Sequence, residues 1–434
     1  MKYNKLTTAA LFTLGFFSTI HAQNIDKIIN IKEVSRIEKT LCADDMEGRQ
    51  TFTTGIEKAA DFIADEMKKA GLQPLKGASG YRQPFSMYAA KLEKVTGMIG
   101  TETIDKKEVV CLTPNSTIHL NDGSKNAIVT RITSKDNFIV KFREAIGKPD
   151  NQVILVDSSF SKYKQLVNRF KGSAQFKTQK EHIVVFTSQP EAKNYAVYAQ
   201  QSLTEKKLAN VVGIIPGKSK AGEYVIFSGH YDHIGYGKPN EKGDSLYNGA
   251  NDDAAGITGI LALAKYFKAL NNNERTIIFA AFTAEEIGGF GSKYFSEQLN
   301  PKDVVAMFNL EMIGTDSKWG KNSAYITGYE KTNMGEILNK NLQGTAFKFY
   351  PDPYTEQQLF YRSDNATLAR LGVPAHTIST SKMDIEPHYH KPSDEFATLD
   401  MENMTQVIKA IAISAKSIIS GADTPTRVDI STLR

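Results

Sequence analysis

Residues 224–235 read YVIFSGHYDHIG, an apolar strand Tyr224–Ser228 that runs without a break into Gly229, His230, Tyr231 and Asp232. Two later stretches repeat the arrangement. TIIFAAF at 276–282 is followed closely by Glu285 and Glu286, and VVAMFNL at 304–310 directly by Glu311. Between the first two strands, Ile257, Ile260, Leu261, Ala264, Phe267 and Leu270 fall on one helical face, just after Asn251, Asp252 and Asp253. Continuous apolar strands alternating with helices predict an α/β fold with a mixed, largely parallel central sheet and helices on both faces. Sites in such sheets lie at the carboxyl ends of the strands, where His230 and these acids fall.

The donor chemistry narrows the function. A second histidine group, His388 and His390, sits in PHYHKPSD at 387–394. Imidazoles combined with three or more carboxylates suit zinc, and a spare carboxylate can carry protons for the reaction. One catalytic zinc takes about three protein ligands. His230, Asp252, Glu286, Glu311 and His390 offer more than that, which predicts two zinc ions with Asp252 as the bridging carboxylate. Neighbouring Glu285 and Glu286 repel unless a cation lies between them or one holds a proton. One of them therefore ligates and the other shuttles the proton. On a strand, Asp232 shares the face of His230 and can fix its ring, while His233 points away and is expected to be structural. Glu311 at the end of so apolar a strand is costly unless paired or metal-bound.

Bulk properties set the remaining bounds. The 434 residues allow one large α/β domain with an insert. Residues 1–22 carry Lys2 and Lys5, an apolar run Ala9–Phe17 and then Ala22, the pattern of a secretory signal, which predicts an exported, periplasmic or extracellular protein. The formal charge of +5 falls by two with that leader, too near neutrality to point to nucleic acid, and no later run is apolar enough for stable membrane insertion. Cys42 and Cys111 could pair in an oxidising compartment, but two cysteines make no disulfide framework. From about 90 to 205 the pattern changes to short β-type runs such as Val109–Leu112, Ala127–Ile132 and Gln152–Val156, with a helix near Lys162–Phe170. This predicts an inserted α+β subdomain at 90–205 between halves of a catalytic domain at 23–89 and 206–434. Its His119 and His182 sit in no clustered acidic context, and its basic run from Lys162 to Lys180 is expected to be a solvated face.

Taken in order, HYDHIG, NDDAAG, AEE, NLEMIG and YHKPSD resemble the co-catalytic di-zinc exopeptidases, a family of secreted bacterial aminopeptidases that includes glutamate carboxypeptidases and, more distantly, glutaminyl cyclases. The likeness covers roughly 40–85 and 206–420. It implies that His230 and Glu311 complete one zinc, Glu286 and His390 the other, and that Asp252 bridges them. It also implies that Glu285 is the general base, that Asp232 orients His230, and that Tyr389 steadies the oxyanion. H-x-P-x-D matches His390 through Asp394, which favours His390 over His388. The family more often has aspartate where this chain has Glu311. The expected activity is removal of N-terminal residues from a peptide substrate. A carboxypeptidase, a glutaminyl cyclase and a non-catalytic binding protein are the alternatives, and the oligomeric state is left open.

Overall fold

The computed structural model describes residues 25–124 and 127–434, so the leader reading at 1–22 lies outside the described residues. At the centre of a ten-stranded mixed sheet, Arg275–Phe282, Lys220–His230, Val304–Leu310 and Ala375–Ser379 lie side by side and parallel. The flanks are antiparallel: Tyr195–Ile215 and Arg82–Ile99 on one side, Ser323–Ile326 on the other. Parallel pairing in this sheet is thus confined to the central strands and to the edge pair of Ser323–Ile326 with Lys348–Pro351, and the sheet as a whole is mixed.

The apolar runs are continuous because both faces are covered. Val225, Phe227, Ile277, Phe279, Phe308 and Leu310 join the core beneath helices Ile31–Leu41, Thr54–Lys69, Ala255–Leu270 and Met401–Ser414. The alternate residues Ile226, Ile278, Ala280, Phe282 and Met307 enter a second core with Phe295 of helix Phe290–Glu297 and Leu368 of helix Asn365–Ala369. Phe227 stacks on Phe308, Phe267 and Phe279 with centroids 4.8, 5.5 and 5.6 Å apart.

The 90–205 stretch has its own four-stranded sheet, Val109–Cys111, His182–Thr187, Asn151–Asp157 and Ala127–Ile132, with helices Phe138–Ile146 and Lys164–Lys171. It leaves and rejoins the main sheet along one ladder, from Arg82 opposite Val211 to Ile99 opposite Tyr195. Cys42 and Cys111 are both free and buried, and they belong to different cores, so they do not pair.

Glu38, on helix Ile31–Leu41, is fully buried against Ala255–Leu270, where Thr258 Oγ1 donates to its Oε2 at 2.7 Å and its Oε1 has no partner. Burial is the main cause that pushes its carboxyl up to about 8, with nearby Asp394 adding to it and the Thr258 hydrogen bond and Arg49 opposing. A carboxyl raised on folding holds its proton in the native state, so its contribution is intact below the ordinary pKa and is lost as pH rises toward 8. The slope is up to about 1.4 kcal/mol per pH unit. Glu38→Gln keeps an acceptor for Thr258 and should flatten this fall. Thermal melts from pH 5 to 8 that stay parallel for the two proteins would refute it.

Candidate metal centre

The candidate residues converge at the carboxyl ends of the central strands. His230 is the last residue of its strand, Glu311 follows Leu310 directly, and Glu285 and Glu286 follow Phe282 across a turn in which Ala284 takes φ 60°. Asp252 stands at the head of helix Ala255–Leu270, and His390 comes from the loop after Ala375–Ser379.

His230 Nε2 lies 3.3 Å from Asp252 Oδ1 and 3.3 Å from Glu311 Oε1. His390 Nε2 lies 3.2 Å from Asp252 Oδ2 and 3.2 Å from Glu286 Oε2. The two oxygens of Asp252 are thus divided between the two histidines. Tetrahedral ligation at about 2.0–2.1 Å places ligand atoms about 3.3 Å apart, so the carboxylate contacts of both histidines have the spacing of zinc donors. Of the two histidines weighed at the C-terminal motif, His388 is instead turned aside, with Nδ1 2.9 Å from Ser393 Oγ.

Two expectations need correction. His233 does not point away: its Nδ1 is 2.8 Å from Glu286 Oε1 and 3.9 Å from Asp252 Oδ2, so it too could contribute to a metal group with them. The alternation rule fails because the strand ends at His230 and the chain turns, pairing His233 with Gln50. Those two distances, one a hydrogen bond and the other too long, fit a zinc tetrahedron less well than those of His390. Asp232 does not hold the His230 ring with its carboxylate. Nδ1 of His230 is 3.0 Å from the Asp232 backbone carbonyl, against 3.8 Å from Oδ1. That carbonyl can accept the Nδ1 proton and leave Nε2 free as a donor. The Asp232 carboxylate accepts instead from the amides of Glu285 at 3.1 Å and Glu286 at 3.2 Å, which fixes the acidic turn.

Other acids fix the remaining groups. Asp394 accepts from the amides of Asn251 at 2.8 Å and Asp252 at 3.0 Å. Asp253 accepts from the amides of His230, Gly256 and Met312, tying together strand end, helix start and the loop after Glu311. A Cβ on Gly256 would lie 2.4 Å from the Leu310 carbonyl oxygen, so the helix can approach this closely only with glycine there. Ser363 donates to Glu311 Oε2 at 2.8 Å. Sequence reasoning missed His233 as a neighbour of the centre, although it directly follows Asp232, and also Ser363 and the buried Asp364 beside it, which no local pattern marks.

The charge balance calls for a cation. Burial opposes a charged His230, yet Glu311 and Asp252 raise its pKa well above the ordinary value. Burial also opposes a charged His390, and its contacts with Asp252 and Glu286 raise it to about 10. Glu285 is pushed well above the carboxylate range, chiefly by burial and then by Glu311, Asp364 and Glu286, while burial raises Asp364 to about 7. Tyr389 stacks on His390 with centroids 4.0 Å apart, and burial followed by nearby Asp252, Glu311 and Glu286 keeps its hydroxyl protonated. A pocket of about 410 Å³ opens beside this centre, lined by Glu311, Met312, Tyr325, Leu359, Arg362, Met383 and Tyr389 among others. His119 is exposed and His182 is satisfied by the Asp150 carbonyl at 2.9 Å, both in the insert, as expected for bystanders.

Residues 210–414 match peptidase family M28. The chain is 26% identical over 214 residues to aminopeptidase YwaD of Bacillus subtilis, covering 48% of this chain and 44% of that protein. Over 113 residues it is 32% identical to a probable zinc metalloprotease of Pyricularia oryzae, covering 26% of this chain and 22% of that protein. It thus spans less than half the length of these relatives. In fold it is similar to an aminopeptidase from Aneurinibacillus sp. strain AM-1 (TM-score 0.53, 18% identity, 94% of this chain and 98% of that one). It is also similar in fold to a zinc aminopeptidase from Bacillus subtilis (TM-score 0.54, 17% identity, 90% and 95%).

Proposed function

Residues 210–414 belong to peptidase family M28, and from that premise we propose that the protein is a zinc-dependent aminopeptidase that binds two zinc ions and removes N-terminal residues from peptides. The observation that carries this reading is the pair of histidines, His230 and His390, that share Asp252 and each place a ring nitrogen 3.2–3.3 Å from two carboxylate oxygens. Names such as aminopeptidase and zinc metalloprotease among the relatives support it.

In this reading His230, Asp252 and Glu311 hold one zinc, and Asp252, Glu286 and His390 hold the other. Zinc at these positions supplies Lewis acidity toward a carbonyl oxygen and toward water. Glu285 takes the proton from the attacking water and returns it to the leaving amine. The Tyr389 hydroxyl donates to the oxygen on which negative charge develops. Asp232 keeps both glutamates aimed through their amides. The surplus of carboxylates at the centre attracts the substrate's free ammonium group. Export rests on the 1–22 pattern. The N-terminus of the protein recovered from its native compartment should begin after Ala22, and an intact leader there would refute this.

The direction of cleavage is tested with free, N-acetylated and C-terminally amidated peptides. The free amine should be required and residues should be lost one at a time. A second reading, carboxypeptidase action, has one observation in its favour. Arg362 lines the pocket beside Glu311 and Tyr389, and among the described residues no carboxylate pairs with it. Cleavage of N-acetylated peptides from the C-terminus would establish that reading and exclude the first.

The two histidines near Glu286 are separable. His390→Ala is expected to lower bound zinc by one equivalent. His233→Ala, which removes only a hydrogen bond to a ligand, should keep both ions at saturation and weaken affinity by about 10–100-fold. Zinc titration with elemental analysis checks this, and the opposite pattern would exchange their roles.

A further inference from the structure

The insert meets the catalytic half in a groove that none of the assignments above uses. It is open to solvent, about 760 Å³ in volume, and lined by Gln175, Phe176, Lys177, Phe290, Lys293 and Tyr294 among others. Its floor is aromatic: Phe176 meets Phe290 edge-on at 5.2 Å, and Phe85 packs behind against Phe176 at 5.8 Å and Tyr294 at 5.0 Å. The same apolar cluster runs on through Ile287 and Ala284. The groove thus begins within one turn of the acidic pair, because the Phe290 amide donates to the carbonyl of Ala284, the residue before Glu285.

Cations border this floor. Lys293 lies over the Phe176 ring at 5.8 Å and Lys177 over the Tyr88 ring at 4.3 Å. Both are exposed, and neither lies within ion-pair distance of an acid among the described residues. Glu297 is the one acid lining the groove. An aromatic trough edged by unpaired ammonium groups fits a chain that is apolar in its side chains and anionic at one end.

We infer that this groove holds the trailing part of the peptide, with its C-terminal carboxylate between Lys177 and Lys293 and its last apolar side chain on Phe176 and Phe290. The occupant's identity rests on the exopeptidase reading, and the site makes the insert part of substrate recognition. It predicts a preference for short peptides with a free carboxylate over the same peptides amidated.

Binding is read apart from turnover by fluorescence anisotropy. The probe is Leu-Ala-Lys-Ala-Phe with a free N-terminus and a dye on the lysine side chain, as free acid and as amide, with the Glu285→Gln protein loaded with zinc. The free acid should bind about five- to tenfold more tightly than the amide, and Lys177→Gln with Lys293→Gln should remove that difference while leaving the amide's affinity unchanged. Equal binding of acid and amide, or a preference that survives both substitutions, overturns the proposal. So does a preference restored to the amide by an internal glutamate, since that would show side-chain acids to be the ligand. Loss of the aminopeptidase reading is seen separately, as failure of the unsubstituted enzyme to cleave leucine p-nitroanilide.

Discussion

Glu285→Gln is expected to leave the zinc content unchanged and to lower turnover by about 10²–10⁴-fold, whereas Glu286→Ala is expected to lose metal. The two side chains are neighbours, but their surroundings differ. Glu286 divides its oxygens between His233 at 2.8 Å and His390 at 3.2 Å, as a carboxylate committed to the ligand set would. Among the described residues, no hydrogen bond or ion pair ends on the Glu285 carboxylate. It is packed among Glu311, Asp364 and Glu286, and burial favours its neutral form. A group so placed can take up a proton readily, and replacing one oxygen by an amide removes that capacity with little change in shape. The backbone of the turn is unaffected, because the Asp232 carboxylate holds both amides. The checks are steady-state kinetics beside elemental analysis. If Glu285→Gln loses a zinc ion and Glu286→Ala does not, the two roles are reversed.

What could be read in the chain follows from what is local. The strands at 224–228, 276–282 and 304–310 are nearly continuous apolar runs, broken only by Ser228, Thr276 and Asn309, because helices cover both sheet faces, and that pattern survives in sequence. Their ends are visible because charged residues interrupt the run, which is why His230, Glu285, Glu286 and Glu311 could be placed. Parity arguments fail once the strand stops: His233 and the Asp232 carboxylate were both assigned by alternation, and both lie past the last strand residue. The long ladder of Arg82–Ile99 with Tyr195–Ile215 was hidden for a different reason. Its outer part carries the exposed Lys91, Glu93, Lys94, Glu205 and Lys207, so it lacks the apolar signature of the centre. The ties from Asp394 to Asn251 and Asp252 span more than 140 residues, and no local pattern encodes them.

Arg49→Met is expected to destabilise the protein by about 4 kcal/mol and to weaken zinc binding along with it. Arg49 follows Gly48 at the end of the short 3-10 helix Asp44–Arg49, with φ 51°, and its side chain is fully buried. Nε donates to the Tyr231 carbonyl at 2.9 Å, Nη1 to Leu41 at 2.8 Å and Asn248 at 2.6 Å, and Nη2 to Gly249 at 2.8 Å. No carboxylate completes this set; carbonyl dipoles replace the hydration of the guanidinium. Two of these carbonyls belong to residues beside the centre: Tyr231 lies between His230 and Asp232, and Gly249 stands three residues before Asp252. Methionine fills the space but leaves the carbonyls buried without donors, at about 1–3 kcal/mol each before any relaxation. Lysine keeps the charge but cannot span the four acceptors, so Arg49→Lys should fall between the two. Denaturant unfolding with and without zinc separates the effects. The zinc-free variant should already be less stable, and saturating zinc should restore only part of the difference, because the ion must also pay for re-forming the displaced loops. An Arg49→Met protein with an unchanged unfolding midpoint would mean that water satisfies those carbonyls, and that the loop beneath His230 and Asp252 does not depend on this arginine.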